Sequence, residues 1–312
     1  MSYMPRPPCQ RQPLGVFQRT PPWVVPRSNP LISERRRRLY RRLPVLQKLA
    51  RAKTFWAREL YALALTRHTR WLERGEQLAR RHLHAQVPDP DLRARCTPDY
   101  AFGCKRVLLS DDWYPTLGRP DVDLVPRAVR AVTPDGVIDD AGEHHAADVL
   151  IFGTGFAVTT HPMFDTIVGP DGTSLGERWR RDGMSAHLGT EMAGLPNLFV
   201  VTGPNTGVGH TSMVFMMEAQ FAYILDALAT MDRLGVTTSE VRVGAEAASN
   251  AELARRMGDT VWTTGGCGSW YLDAAGRNTT LWPSTAWAFH RRLRRFDPAD
   301  HVLTVGRRPT PT

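Results

Sequence analysis

The sequence predicts an α/β fold: part of two interleaved dinucleotide-binding, Rossmann-like domains, entered partway through the first and carrying a helical insertion. Three observations predict it. Short apolar, β-branched runs end in glycine-rich loops at two places, "DVLIFGTGF" (148–156) and "LFVVTGPNTGVGHTS" (198–212). The second loop leads into "MVFMMEAQFAYILDALATM", which has the length and periodicity of a helix. Between 34 and 85, leucines recur at three- and four-residue intervals, as a helical segment requires.

Taken in order, "LGVFQRTPPWVVPR" (14–27) reads as a short strand followed by an extended, proline-bounded stretch. Leu39, Leu43, Leu46 and Leu49 begin the helical pattern, and Leu60, Leu63, Leu72 and Leu78 continue it. Pro44 interrupts the first helix. Trp56, Tyr61 and Trp71 fall at helical spacings and are assigned to a core face. Positions 87–106, "VPDPDLRARCTPDYAFGCKR", read as loop. "VDLV", "AVRAV" and "GVIDD" read as short strands of an antiparallel ribbon. "DVLIF" and "LFVV" read as buried strands, and the Trp-, Gly- and Thr-rich stretch 259–289 as irregular. There is no internal repeat.

Composition narrows the class. With 312 residues, 42% hydrophobic and 23% charged, the chain has the make-up of a globular enzyme. The apolar runs are about half of a ~20-residue membrane span, and the N-terminus lacks the apolar core of a secretory signal. Four scattered cysteines without a CxxC pair argue against a zinc ribbon and against a disulfide scaffold, and suit a reducing, cytoplasmic location. The net charge of +9 is concentrated: positions 34–95 hold seventeen Lys or Arg against six Asp or Glu. A solvated helical face explains this better than a nucleic-acid footprint, which pairs such charge with a known fold or regular stacking aromatics. The expectation is therefore no nucleic acid, no membrane and no metal.

The chemistry centres on four stretches. Gly203, Gly207 and Gly209 allow close backbone approach. The helix that follows directs free N–H groups and a partial positive charge at a ligand's phosphate or carbonyl. It is not a P-loop, for no GK[ST] follows. It is not GxGxxG either, for Ser212 stands at the third glycine. His210 ends the loop and either touches a ligand or caps the helix. Gly153 and Gly155 close the other strand unit. Lys105 and Arg106 are adjacent cations able to bind phosphate or stabilise an oxyanion. Arg19 follows the first strand, where an arginine can meet the 2′-phosphate of NADP. His144 and His145 sit in a turn without metal-ligand company, and no GxSxG frames a serine.

Together these stretches resemble flavin-containing monooxygenases of the Baeyer–Villiger type. The resemblance rests on "VFQRTPPWVVPR", "TPDYAFGCKRVLLSDDWYPTL", "DVLIFGTGF", "LPNLFVVTGPNTGVGHTSMVFMMEAQFAYIL" and "GGCGSWYLDAAGRNTTLWPS", in family order across positions 16–284. It implies FAD and NADPH as cofactors, with O2 and a small ketone or a nitrogen or sulfur compound as substrates. Arg19 and Thr20 are implied near the 2′-phosphate of NADPH, with Lys105 helping to bind it. Arg106 matches the active-site arginine, whose charge stabilises the oxyanion formed at a carbonyl. Gly153, Thr154, Gly155 and Phe156 are implied to line the FAD site, as are Gly203, Pro204, Asn205, Thr206, Gly207, Gly209 and His210.

The implied organisation is a remnant of the NADPH-binding domain over 1–32 and the helical insertion over 33–95. A return to the NADPH-binding domain over 96–147 follows, then the C-terminal part of the FAD-binding domain over 148–312. The family's GxGxxG motifs for FAD and NADPH are absent from the sequence. The chain thus resembles a C-terminal portion, inactive alone, left by a truncated gene, a misplaced start or a split protein with an upstream partner. A non-catalytic remnant is the alternative, and a basic nucleic-acid-binding protein a third reading.

Overall fold

The computed structural model describes residues 13–155 and 157–305. The chain divides into two compact units. One comprises Met1–Pro30 and Glu73–Gly155, the other Leu31–Leu72 and Phe156–Thr312.

Strands β1 (Leu14–Phe17) and β2 (Val24–Val25) open the first unit. Helices α1 (Glu34–Arg42) and α2 (Pro44–Thr66) belong to the second. Pro44 separates them as expected, and it starts α2 at the first turn, where its missing N–H costs nothing. Helix α3 (Leu72–Gln86) and the short α4 (Pro90–Arg95) return the chain to the first unit. The Asp89 side chain caps α4, making a helix inside the stretch expected to be loop. Strand β3 (Leu108–Leu109), helix α5 (Trp113–Leu117) and strands β4 (Val122–Val125), β5 (Val129–Thr133), β6 (Gly136–Asp139) and β7 (His144–Ala146) complete this unit.

The pairing is that of an α/β protein. β1 runs parallel to β4 and β2 parallel to β3, while β5, β6 and β7 form an antiparallel ribbon. The expected ribbon is thus corrected at both ends: "VDLV" is β4, which pairs with β1 instead, and His144 and His145, expected in a turn, lie in β7 because it pairs with β6. The core beneath the parallel pairs contains Val24, Leu83, Leu92, Tyr114 and Leu124.

In the second unit, α6 (Leu175–Asp182) starts on a capping box between Ser174 and Glu177. The 22-residue α7 (Met213–Leu234) ends at left-handed Gly235. Strand β8 (Thr238–Val241), helices α8 (Val243–Met257), α9 (Val261–Thr264) and α10 (Ala286–Arg292), and strand β9 (His301–Thr304) follow, with β9 antiparallel to β8. The core forms where α7 meets α10, around Met216, Tyr223, Trp282 and Phe289. The expectation of an irregular 259–289 is corrected in part, since α9 and the start of α10 lie there. By length and composition α7 could cross a membrane, contrary to the reading of its apolar run. Yet Met216, Ala219, Tyr223 and Ala227 are at most 1% exposed within the protein core, as a core helix requires.

Two expected strands do not form. Positions 148–152 lie outside any strand, and Val149, Ile151 and Phe152 are 75%, 88% and 72% exposed. A strand exists only through a partner, and no described segment pairs with this one. "LFVV" is likewise non-strand. Its backbone is tied instead by Val200 N–H to Thr190 O and by buried Gln220. The Gln220 side chain accepts from Thr202 N–H and donates to Val200 O. The assignment of Trp56 and Trp71 to a core face is also corrected: they are 52% and 53% exposed. Trp56 packs beside Phe55 and Trp287, and Trp71 stacks on His68. The buried residues of α2 are instead Ala62, Ala64 and Leu65, with the polar Glu59 and Thr66.

Candidate cofactor-binding site

In the first unit the chain leaving β1 is stitched to the segment before β3. Trp23 Nε1 donates to Tyr100 O at 2.9 Å, and the Tyr100 hydroxyl donates to Pro21 O at 3.0 Å. Burial pushes the Tyr100 phenol up to about 12. This stitching brings Arg19 and Lys105 together across 86 positions of sequence. Burial first, and then the charge of Arg19, hold the Lys105 ammonium below its ordinary range, while Asp99 acts the other way. Lys105 Nζ rests 5.0 Å from the centroid of the Tyr100 ring. Arg106 is exposed, with no hydrogen bond or ion pair among the described residues. Thr20 is half-buried next to Arg19. Two cations that repel each other are a poor arrangement for folding and a good one for an anion.

Gly153, Thr154 and Gly155 are exposed, and a Cβ on either glycine would meet nothing within 4 Å. Gly155 has φ +86°, which favours glycine. Phe156 lies outside the described residues.

The glycine loop belongs to the second unit, and its members differ. A Cβ on Gly203 would stand 2.5 Å from Gly189 O, and one on Gly207 2.8 Å from Thr280 O. Both glycines are thus required by the protein's own packing. Gly207 exchanges backbone hydrogen bonds with Thr280 and Trp282, at 2.9 and 2.8 Å. Pro204, Asn205 and Thr206 are buried. Asn205, at φ +55°, donates from its side chain to Asn278 O and Leu281 O, and the Thr206 hydroxyl donates to Gly203 O. The polar side chains over 203–207 are therefore spent on the protein. Gly209 differs: it is exposed, with open space where a Cβ would stand. Ser212, the N-cap of α7, makes no side-chain cap, and no acid occupies the first turn. The open end of the loop thus joins an uncapped helix N-terminus.

His210 is buried, with Nε2 3.3 Å from Glu59 Oε1. Glu59 escaped the sequence reading because it stands in a strongly basic stretch. Its one signal is an acid among the alanines and leucines of α2. Gln220 also escaped, although a lone amide inside an apolar helix is a legible signal.

Among the described residues one group of three could gather a metal ion: Asp139, Glu143 and His145. The Asp139 carboxylate is already engaged there. It accepts from Ala141 N–H, Glu143 N–H and His145 Nε2, with Arg127 Nε 3.6 Å away. Those contacts close the turn between β6 and β7.

No family model matches the chain. Among curated proteins it is 42% identical over 293 residues to a Baeyer-Villiger monooxygenase of Pseudomonas aeruginosa, covering 94% of this chain and 55% of that protein. It is 45% identical over 299 residues to a Baeyer-Villiger monooxygenase of Streptomyces coelicolor, covering 96% and 57%. Among solved structures it superposes on OTEMO in complex with FAD and NADP with a TM-score of 0.78 at 23% identity, covering 94% of this chain and 62% of that one. Steroid monooxygenase bound to NADP matches at 0.74 and 23%, over 95% and 63%. The chain spans little more than half the length of the curated relatives it matches. On sequence and fold together, it is similar to the C-terminal portion of the Baeyer–Villiger monooxygenases.

Proposed function

We propose that this chain is the C-terminal part of an FAD- and NADPH-dependent monooxygenase. Such an enzyme inserts one oxygen atom from O2 into a ketone, or adds it to nitrogen or sulfur of a small organic substrate. The observation that carries the reading is the approach of Arg19 to Lys105, whose ammonium is held low by burial and by the charge of Arg19 in spite of Asp99, beside exposed Arg106. Arg19, Thr20 and Lys105 fit the phosphate of NADPH through charge-assisted hydrogen bonds. Gly209 and the uncapped N-terminus of α7 fit the carbonyl edge of a flavin ring. The polar groups of Asn205 and Thr206 support that loop from behind. When bound, FAD supplies the activation of O2 at the expense of NADPH. Arg106 contributes a permanently charged, planar donor for the oxyanion that forms at a carbonyl.

The chain alone is proposed to be inactive, because the strand–GxGxxG unit that grips a dinucleotide pyrophosphate is not in this sequence. A second reading, one subunit of a split flavoprotein, is favoured by the unpaired apolar stretch 149–152. The test is a visible spectrum of the purified chain, alone and after mixing with the N-terminal half of a relative. Flavin absorbance and NADPH oxidation only in the mixture support both readings. Stoichiometric flavin on the chain alone refutes the incomplete site.

A further inference from the structure

One buried carboxylate joins the helical segment to the glycine loop. Glu59 lies on α2 and is 3% exposed. Its Oε1 stands 3.3 Å from His210 Nε2 and accepts Ala286 N–H at 3.2 Å, while Oε2 accepts Trp287 N–H at 2.9 Å. Ala286 and Trp287 are the first residues of α10. Two segments, separated from Glu59 by 151 to 228 positions, therefore meet α2 on one side chain. Burying a carboxylate is costly unless its oxygens are satisfied. Here burial works against the charge, yet His210 and the two backbone donors outweigh it and hold Glu59 below its ordinary range.

An ionised carboxylate only accepts hydrogen bonds, so the hydrogen shared with it sits on His210 Nε2. His210 Nδ1 is buried and has no hydrogen-bond partner among the described residues. The loop is thus fixed at two ends. Asn205 and Gly207 hold its beginning to 278–282, and His210 holds its end to Glu59. Between the second fixing point and α7 lie only Thr211 and Ser212.

We propose that Glu59 is a positioning residue for the glycine loop: it clamps His210 against α2 and α10, fixes the imidazole tautomer, and sets the path of Gly209–Ser212 into α7. The free N–H groups of that helix are thereby held ready for a carbonyl or anionic ring edge. The last clause rests on the flavin reading; the clamp itself does not.

The test uses nuclear magnetic resonance on the full chain with Glu59→Gln, His210→Ala and the double variant. In the unsubstituted chain the His210 Nε2 proton is visible and protected from solvent, and Gly209–Ser212 have order parameters near the rigid value of ~0.85. Glu59→Gln abolishes that proton signal and lowers the order parameters toward ~0.6. His210→Ala lowers them equally, and the double variant no further. Only the variants lacking Glu59 disturb the Ala286 and Trp287 amides. If Glu59→Gln moves those two amides but leaves the loop rigid and the imidazole proton protected, Glu59 merely caps α10 and the proposal is overturned. If the core amides around Tyr223 loosen as much as the loop, the effect is general destabilisation and the proposal also fails. Should Glu59→Gln not fold, His210→Ala decides: an unchanged loop overturns the clamp. FAD added as a probe tests the other clause. Loop shifts with FAD in the unsubstituted chain, weakened in Glu59→Gln, support it; no shift in either refutes the flavin reading and leaves the clamp to the relaxation data.

Discussion

The Tyr223 hydroxyl donates to Glu191 Oε2 at 2.6 Å, and His301 Nε2 meets the same oxygen at 3.1 Å. All three residues are at most 4% exposed. This contact ties α7 and β9 to the loop preceding the glycine motif. Tyr223→Phe leaves a buried carboxylate short of one donor and is expected to cost about 1–3 kcal/mol. Denaturant unfolding at constant slope measures it.

The same network predicts a pH dependence. Burial alone disfavours charge on His301, but the hydrogen bond and charge of Glu191 outweigh it, so the folded pKa is raised. The stabilisation from His301 is therefore fully present below the unfolded value of about 6.5 and is lost as pH rises through the raised folded pKa. His187 has the opposite sign, since burial lowers its pKa. The stability difference between the unsubstituted chain and His301→Asn isolates the first effect. It is expected to shrink as pH rises above neutrality, and a difference that grows contradicts the assignment.

Two glycines two positions apart are expected to behave differently. Gly207→Ala drives a Cβ to 2.8 Å from Thr280 O and should cost about 1–3 kcal/mol through a forced backbone shift. Gly209→Ala meets nothing and should change stability by less than about 0.5 kcal/mol. In a complex with the N-terminal half of a relative, Gly209→Ala should still weaken flavin retention. Thermal melts together with bound-flavin absorbance separate the two effects.

The Arg19–Lys105 pair predicts anion binding that depends on salt. Adenosine 2′,5′-bisphosphate should bind the chain more weakly as ionic strength rises. Arg19→Ala should reduce that affinity at least ~10-fold, the loss of about one charged hydrogen bond. Removing Arg19 should also raise the Lys105 pKa, because one of the two causes that lower it is gone. Calorimetric titration and amine-selective labelling across pH report these outcomes.

Arg106 is exposed and unpaired among the described residues, so Arg106→Ala should leave the melting temperature within about a degree. With the upstream half restored, the same substitution should lower oxygenation at least ~10²-fold while flavin content holds, and Arg106→Lys should recover little. Product formation within threefold of normal would exclude Arg106 from the chemistry.

Exposed Ile151 and Phe152 predict adhesion. Ile151→Lys with Phe152→Glu should reduce binding of a hydrophobic dye and slow aggregation without lowering the melting temperature, because neither side chain is part of the core. An unchanged aggregation rate would place the adhesive surface elsewhere.

The sequence by itself determined the elements whose signal is local. Pro44 set the break between α1 and α2 through its missing N–H, and the leucine spacing marked the helical stretch. The runs "AVRAV" and "GVIDD" marked the β5–β6 hairpin. Long, chemically distinctive segments were enough to indicate the family. The tertiary structure alone decided what depends on partners. "DVLIF" and "LFVV" carry strand composition, yet a strand is a property of a pair, and no described segment supplies the neighbour. Helical spacing put Trp56 on a core face, whereas Ala62, Ala64 and Leu65, with Glu59 and Thr66, give α2 its buried face. The three glycines of the loop look alike in sequence. Only the positions of Gly189 O and Thr280 O show that two serve packing and that Gly209 is left open. Glu59 and His210 are 151 positions apart, and no local pattern links them. Their pairing arises because folding brings α2, the glycine loop and α10 around one carboxylate that cannot be buried without donors.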